Sequence, residues 1–167
     1  MDQPRDCRRP AAHAETLVHW PDPEVFFLTA FRCQLAGYAT GDVACWELGW
    51  QGASKLLPLA DAKRIMAEVA YFARVLHRTH ARALAILPYC CGRVTPDECL
   101  LVRLIGAAQR GQLVAAGRLA AEVTHSEDHV ALVDAASDLG CALRECGLVF
   151  AGGGATAPTV LAPRDLH

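Results

Sequence analysis

Apolar residues recur at spacings of three and four along most of this chain, the period of helices with one buried face. Phe27, Ala30, Phe31, Gln34, Leu35 and Tyr38 form the first such stripe. It follows Asp22–Pro23–Glu24, where Asp22 can cap free backbone N–H groups and Pro23 suits the first helical position. Thr40 and Gly41 mark a break. A second, weaker helix is expected from about 42 to 57. It carries Trp46 and Trp50 one turn apart, with Ala53 and Leu57 continuing that face. Gly49 and Gly52 weaken it and offer room for a close helix crossing.

The clearest stripe, Ile65, Val69, Phe72, Leu76, Ala83 and Leu87, predicts one long helix from about 59 to 87, bent near Thr79 and stopped by Pro88. Thr95–Pro96–Asp97–Glu98 then matches a capping box, with Thr95 as cap and Glu98 reaching back. Leu100, Leu101, Leu104, Ile105 and Ala108 supply the buried face of the helix it opens. After a turn at Gln109–Arg110–Gly111, another helix is expected to about Val123. Ser126 is the expected cap of the last, which carries Leu132, Ala136, Leu139, Leu143 and Cys146 and stops at Gly147. No alternating apolar run bounded by hairpin turns competes, so no strand is expected. The fold class is all-α: a compact bundle of about five or six helices over residues 21–150. A polar arm at 1–20, tethered by Trp20, precedes it, and a flexible glycine-rich tail at 151–167 follows. That tail lacks the Gly-Lys-Ser/Thr ending of a phosphate loop.

Hydrophobic residues make up 53% of the chain and charged residues 20%. This is more apolar than the usual globular balance; alanine, which sits comfortably on helix surfaces, is the simpler explanation, and surface buried against a partner is the other. The net charge of −2 hides an asymmetry: residues 1–54 carry −3, 55–118 carry +6 and 119–167 carry −5. Such segments can attract one another within one fold or between two copies. The balance does not suggest a nucleic-acid binder, and no run of about 20 apolar residues predicts a membrane span. With no secretory leader pattern, a cytoplasmic location is expected, where the eight cysteines are thiols or metal ligands rather than a disulfide framework.

The chemistry concentrates in Pro88–Tyr89–Cys90–Cys91–Gly92, between two helices, with Cys99 in the first turn of the next. A tetrahedral zinc site needs four soft or borderline ligands, and His80, Cys90, Cys91 and Cys99 are the candidate set, with His77 further round the helix. Zinc is therefore the candidate cofactor. Against it, adjacent cysteines rarely face one ion and no Cys-x-x-Cys occurs. A thiol-based redox role for Cys90, Cys91 and Cys99 is the parallel reading. Glu122 and His125 give a single Glu-x-x-His unit straddling a helix end, where a di-iron bundle needs two; His125, His129 and a carboxylate are a further candidate zinc set. No Gly-x-Ser-x-Gly elbow is present. Arg74, Arg78 and Arg82 recur every four residues and form a candidate anion or partner surface.

These features together lead to the expectation of a non-enzymatic helical adaptor or regulatory protein, acting through a protein interface with a partner protein or a second copy. A zinc-binding or thiol-redox sensor at the Cys90/Cys91/Cys99 locus is the alternative.

Overall fold

The computed structural model describes residues 15–126 and 129–151. The predicted arm up to residue 14 and the glycine-rich tail from 152 lie outside the described residues. Six helices form a compact bundle: α1 (Asp22–Thr40), α2 (Val43–Leu56), α3 (Leu59–Thr79), α4 (Pro96–Gln109), α5 (Leu113–Thr124) and α6 (Val130–Glu145). α1 and α2 form an antiparallel hairpin with α3 packed against both. α4 and α5 form a second hairpin, and α6 joins the halves by packing on α3 and α4. The buried faces meet in one core, where Phe27, Phe31, Phe72 and Phe150 cluster with ring centroids 5.8 to 6.2 Å apart. Phe27 and Phe31 stack and the other pairs meet edge-on or tilted, in keeping with the ring quadrupole's preference for offset and edge-to-face contacts.

Local signals explain several helix ends. Asp42 accepts the Ala44 N–H at the start of α2. Both halves of the capping box form at α4: Thr95 Oγ1 accepts the Glu98 N–H, and Glu98 accepts the Thr95 N–H. Gly41 and Gly147 close α1 and α6 in the left-handed region, at φ 70° and 76°. Two expected caps differ. Asp22 lies inside α1, whose cap position is Pro21. α6 starts at Val130 behind His129, which makes no side-chain cap, so Ser126 is not its cap. Of the two glycines in α2, Gly49 makes the crossing. A Cβ there would meet Met66 Cε at 3.1 Å and Cys33 Cβ at 3.2 Å, whereas one on Gly52 would meet nothing within 4 Å.

The main departure from the sequence pattern is α3, which ends at Thr79 instead of Leu87. Residues 80–95 leave the helix as an irregular strap. Its far end includes a two-residue strand, β2 (Arg93–Val94), paired antiparallel with β1 (Glu15–Thr16) in the register Glu15↔Val94 and Thr16↔Arg93. No strand was expected. A three-residue 3₁₀ turn at Leu17–His19 follows β1 and leads to Trp20, which is buried as a tether should be.

Candidate functional site

The strap carries the cysteine pair, and it is braced from beneath by charged side chains. Arg32 projects from the core face of α1 and is fully buried, as is Glu98 in the first turn of α4. Arg32 Nε and Nη2 donate to the two Glu98 oxygens at 2.7 and 2.8 Å. Two further hydrogens reach the strap backbone, at the Cys91 carbonyl (2.7 Å) and the Arg93 carbonyl (2.6 Å). Glu98 also accepts the Leu87 N–H at 3.1 Å and the Thr95 N–H at 2.9 Å. A buried ion pair holds only when its other donors and acceptors are satisfied, and here strap backbone satisfies them.

A second brace lies at the strap's beginning. Asp97 forms a two-pronged ion pair with Arg82 and accepts the Ala85 N–H. The Arg82 hydrogen bond holds the Asp97 carboxyl below its ordinary range, against the opposing effect of burial and with help from the Ala85 N–H. Thr95 Oγ1 donates to the Ala85 carbonyl at 2.5 Å. These contacts explain the early end of α3. Ala83 and Leu87 keep helical spacing, but Asp97 and Glu98 offer the Ala85 and Leu87 amides acceptors outside a helix. The Ala81 N–H is taken by the Thr124 carbonyl.

This arrangement separates the proposed ligands. Cys91 closes a tight turn with its N–H on the Pro88 carbonyl at 2.9 Å. Cys91 is buried while the adjacent Cys90 is exposed. Cys99 packs half-buried against the core. His80 turns back to its own helix, with Nδ1 2.9 Å from the Leu76 carbonyl, and its ring lies beside that of His77. Among the described residues no group of three or more His, Cys, Asp or Glu side chains is placed to hold a metal ion. The zinc expectation for His80, Cys90, Cys91 and Cys99 is therefore corrected: in the braced strap Cys90 is exposed and Cys91 buried, while Cys99 packs on the core and His80 turns to its own helix. Among the described residues, which leave out 127 and 128, the same finding covers His125 and His129. His125 sits in a left-handed cap at φ 53°.

Cys33 and Cys45 lie near the strap from α1 and α2. Burial pushes the Cys33 thiol up to about 11, with the charge of Cys45 acting in the same direction. A thiol so raised stays protonated and is a poor nucleophile. The arginine stripe is also divided. Arg74 and Arg78 are exposed on α3, whereas Arg82 lies beyond the helix end and is engaged by Asp97.

The sequence also left the outer surface of α2 unassigned. Ala44, Leu48, Gly52 and Leu56 follow one another at intervals of four and form one ridge. Leu48 is 43% exposed and Leu56 50%. Ala44 and Gly52 are exposed small residues between and beside them. Leu59, also exposed, follows in the chain. The signal was visible in principle, as an apolar four-residue repeat offset from the Trp46, Ala53 and Leu57 face. Comparison with family models, curated proteins and solved structures finds no match to this chain. The chain is thus a compact helical protein with no helix, among the described residues, long and apolar enough to cross a membrane and with no evident catalytic constellation there.

Proposed function

We propose that this is a non-enzymatic adaptor or regulatory protein acting through a protein interface, that the outer face of α2 is that interface, and that a second copy of the chain occupies it. The supporting observation is the alternation of small and large residues along the exposed ridge. In an antiparallel pairing centred on Trp50, residue n faces residue 100 − n of the other copy. Ala44 then faces Leu56, and Leu48 faces Gly52. Every large side chain meets a small one, and the open space above Gly52 receives a leucine. The distance between packed helices is set by the side chains at their contact, so the small residues let the two backbones approach. The apolar excess of the chain supports the same reading.

The interface is weak. Completing the burial of each half-exposed leucine contributes about 1 kcal/mol, and association offsets much of the sum. Light scattering over a concentration series up to about 1 mM tests the proposal. The average mass should rise from one chain toward two. Gly52→Leu fills the notch without touching the monomer's own packing, and should remain monomeric at every concentration while unfolding no more easily than wild type. A wild-type mass of one chain throughout, or a Gly52→Leu variant that associates as well as wild type, would overturn it.

A further inference from the structure

A cleft of about 190 Å³ lies between the first turn of α1, the C-terminal half of α4 and α5. Val102, Leu119 and Phe150 give it apolar walls, and Glu24, Arg103 and Arg110 line it as well. A cavity of about 150 Å³ is enough for benzene, so this one has room for a small organic molecule.

Its charged groups are arranged unusually. Glu24 is 3% exposed. One carboxylate oxygen accepts the Ala151 N–H at 2.7 Å, while Oε2 is buried with no partner among the described residues. Burial pushes this carboxyl up, against the lowering effect of the Ala151 hydrogen bond. An unpaired buried carboxylate oxygen is destabilising unless a donor or cation meets it. The described residues supply none, because Arg103 and Arg110 are exposed and neither pairs with Glu24. Arg110 Nε is held by Gln112 Oε1 at 3.3 Å. Its guanidinium lies over Gly106, where a Cβ would come within 3.3 Å of Nη1. The glycine thus leaves room for a cation at the wall. Among the described residues the lining therefore holds a carboxylate oxygen without a donor, two guanidiniums without a carboxylate partner, and apolar surface.

We propose that this cleft binds a small zwitterion of the aliphatic amino-acid class, with its ammonium on Glu24 Oε2, its carboxylate on Arg103 and Arg110, and its side chain against Val102, Leu119 and Phe150. Arginine suits the carboxylate because its planar fork can donate two parallel hydrogen bonds.

Isothermal titration of the full chain with leucine, valine and methionine tests this, alongside two truncated forms of leucine. 3-Methylbutylamine lacks the carboxylate, and 4-methylpentanoate lacks the ammonium. Binding of at least one amino acid is expected, with both truncated compounds weaker than leucine by about tenfold or more. Glu24→Gln keeps an acceptor for the Ala151 N–H and removes a buried charge, so it should fold at least as stably as wild type. It should lose about tenfold in affinity for the amino acid and none for 4-methylpentanoate. Absence of heat from all three amino acids up to about 10 mM would overturn the proposal. So would a truncated compound binding as tightly as leucine, or an unchanged affinity for the amino acid in Glu24→Gln.

Discussion

Replacing Arg32 with methionine keeps a long, flexible side chain in the core of α1 and deletes the two hydrogen bonds from its guanidinium to the strap backbone. The guanidinium makes four hydrogen bonds at 2.6 to 2.8 Å, two to Glu98 and one each to the carbonyls of Cys91 and Arg93. Both members of the pair are fully buried, so solvent does not replace what is lost. Removing one partner of such a pair typically destabilises by about 3–5 kcal/mol, because the other is left as an uncompensated buried charge. Two effects adjust this figure. Glu98 retains the Leu87 and Thr95 amides, which limits the loss. The two orphaned carbonyls add about 1 kcal/mol each at the lower end of the usual range. The estimate therefore stays at about 3–5 kcal/mol, a large part of the total stability of an ordinary domain. Arg32→Met with Glu98→Met should recover only part of the loss, because four strap backbone groups then lack partners. Urea unfolding followed by far-ultraviolet circular dichroism measures all three chains, and hydrogen exchange at Leu87 and Thr95 should accelerate in each variant. A loss below about 1 kcal/mol for Arg32→Met would mean that the strap holds itself without Arg32.

Thr95→Ala removes both the acceptor for the Glu98 N–H and the donor to Ala85, and should lower stability by about 0.5–2 kcal/mol in the same assay. Asp97 has a folded pKa below its ordinary 3.8, so its contribution is complete above that value and disappears as pH falls through the lower folded value. Asp97→Asn should accordingly be less stable than wild type at neutral pH, and the difference should shrink on acidification through that window. With a soluble thiol reagent, exposed Cys90 should be modified in the native protein, whereas buried Cys91 and Cys33 should react only on unfolding; rapid labelling of Cys33 would contradict its raised pKa.

The parts of the fold that were legible in the sequence are those governed by neighbours. The capping box at Thr95–Glu98 needs only four consecutive residues, and the stripes of α1, α4 and α6 need only their own period. The strap was misread because Ala83 and Leu87 continue the apolar spacing of α3, and local spacing carries no information about acceptors waiting on α4. Arg32 was passed over for the same reason. Its partner Glu98 stands 66 positions away, although a single charge four residues after Leu28, next to Phe31, was a readable oddity on a buried face. Proximity in sequence misled at the cysteines: Cys90 and Cys91 are adjacent, yet a tight turn sends one outward and the other inward. The small-and-large ridge on α2 was lost behind the stronger tryptophan face beside it.

Exchanging the facing residues tests the proposed pairing of two copies through α2 in an antiparallel register. Gly52→Leu alone sets leucine against Leu48 of the other copy and should block association. Adding Leu48→Ala to that variant again places a large residue opposite a small one at both positions, and both sites are exposed, so folding is spared. Sedimentation equilibrium of the two variants is the measurement. The double variant should associate at least about tenfold more tightly than Gly52→Leu and approach the wild type. Equal behaviour of the two variants, or a double variant weaker than the single one, would contradict the register and with it the interface.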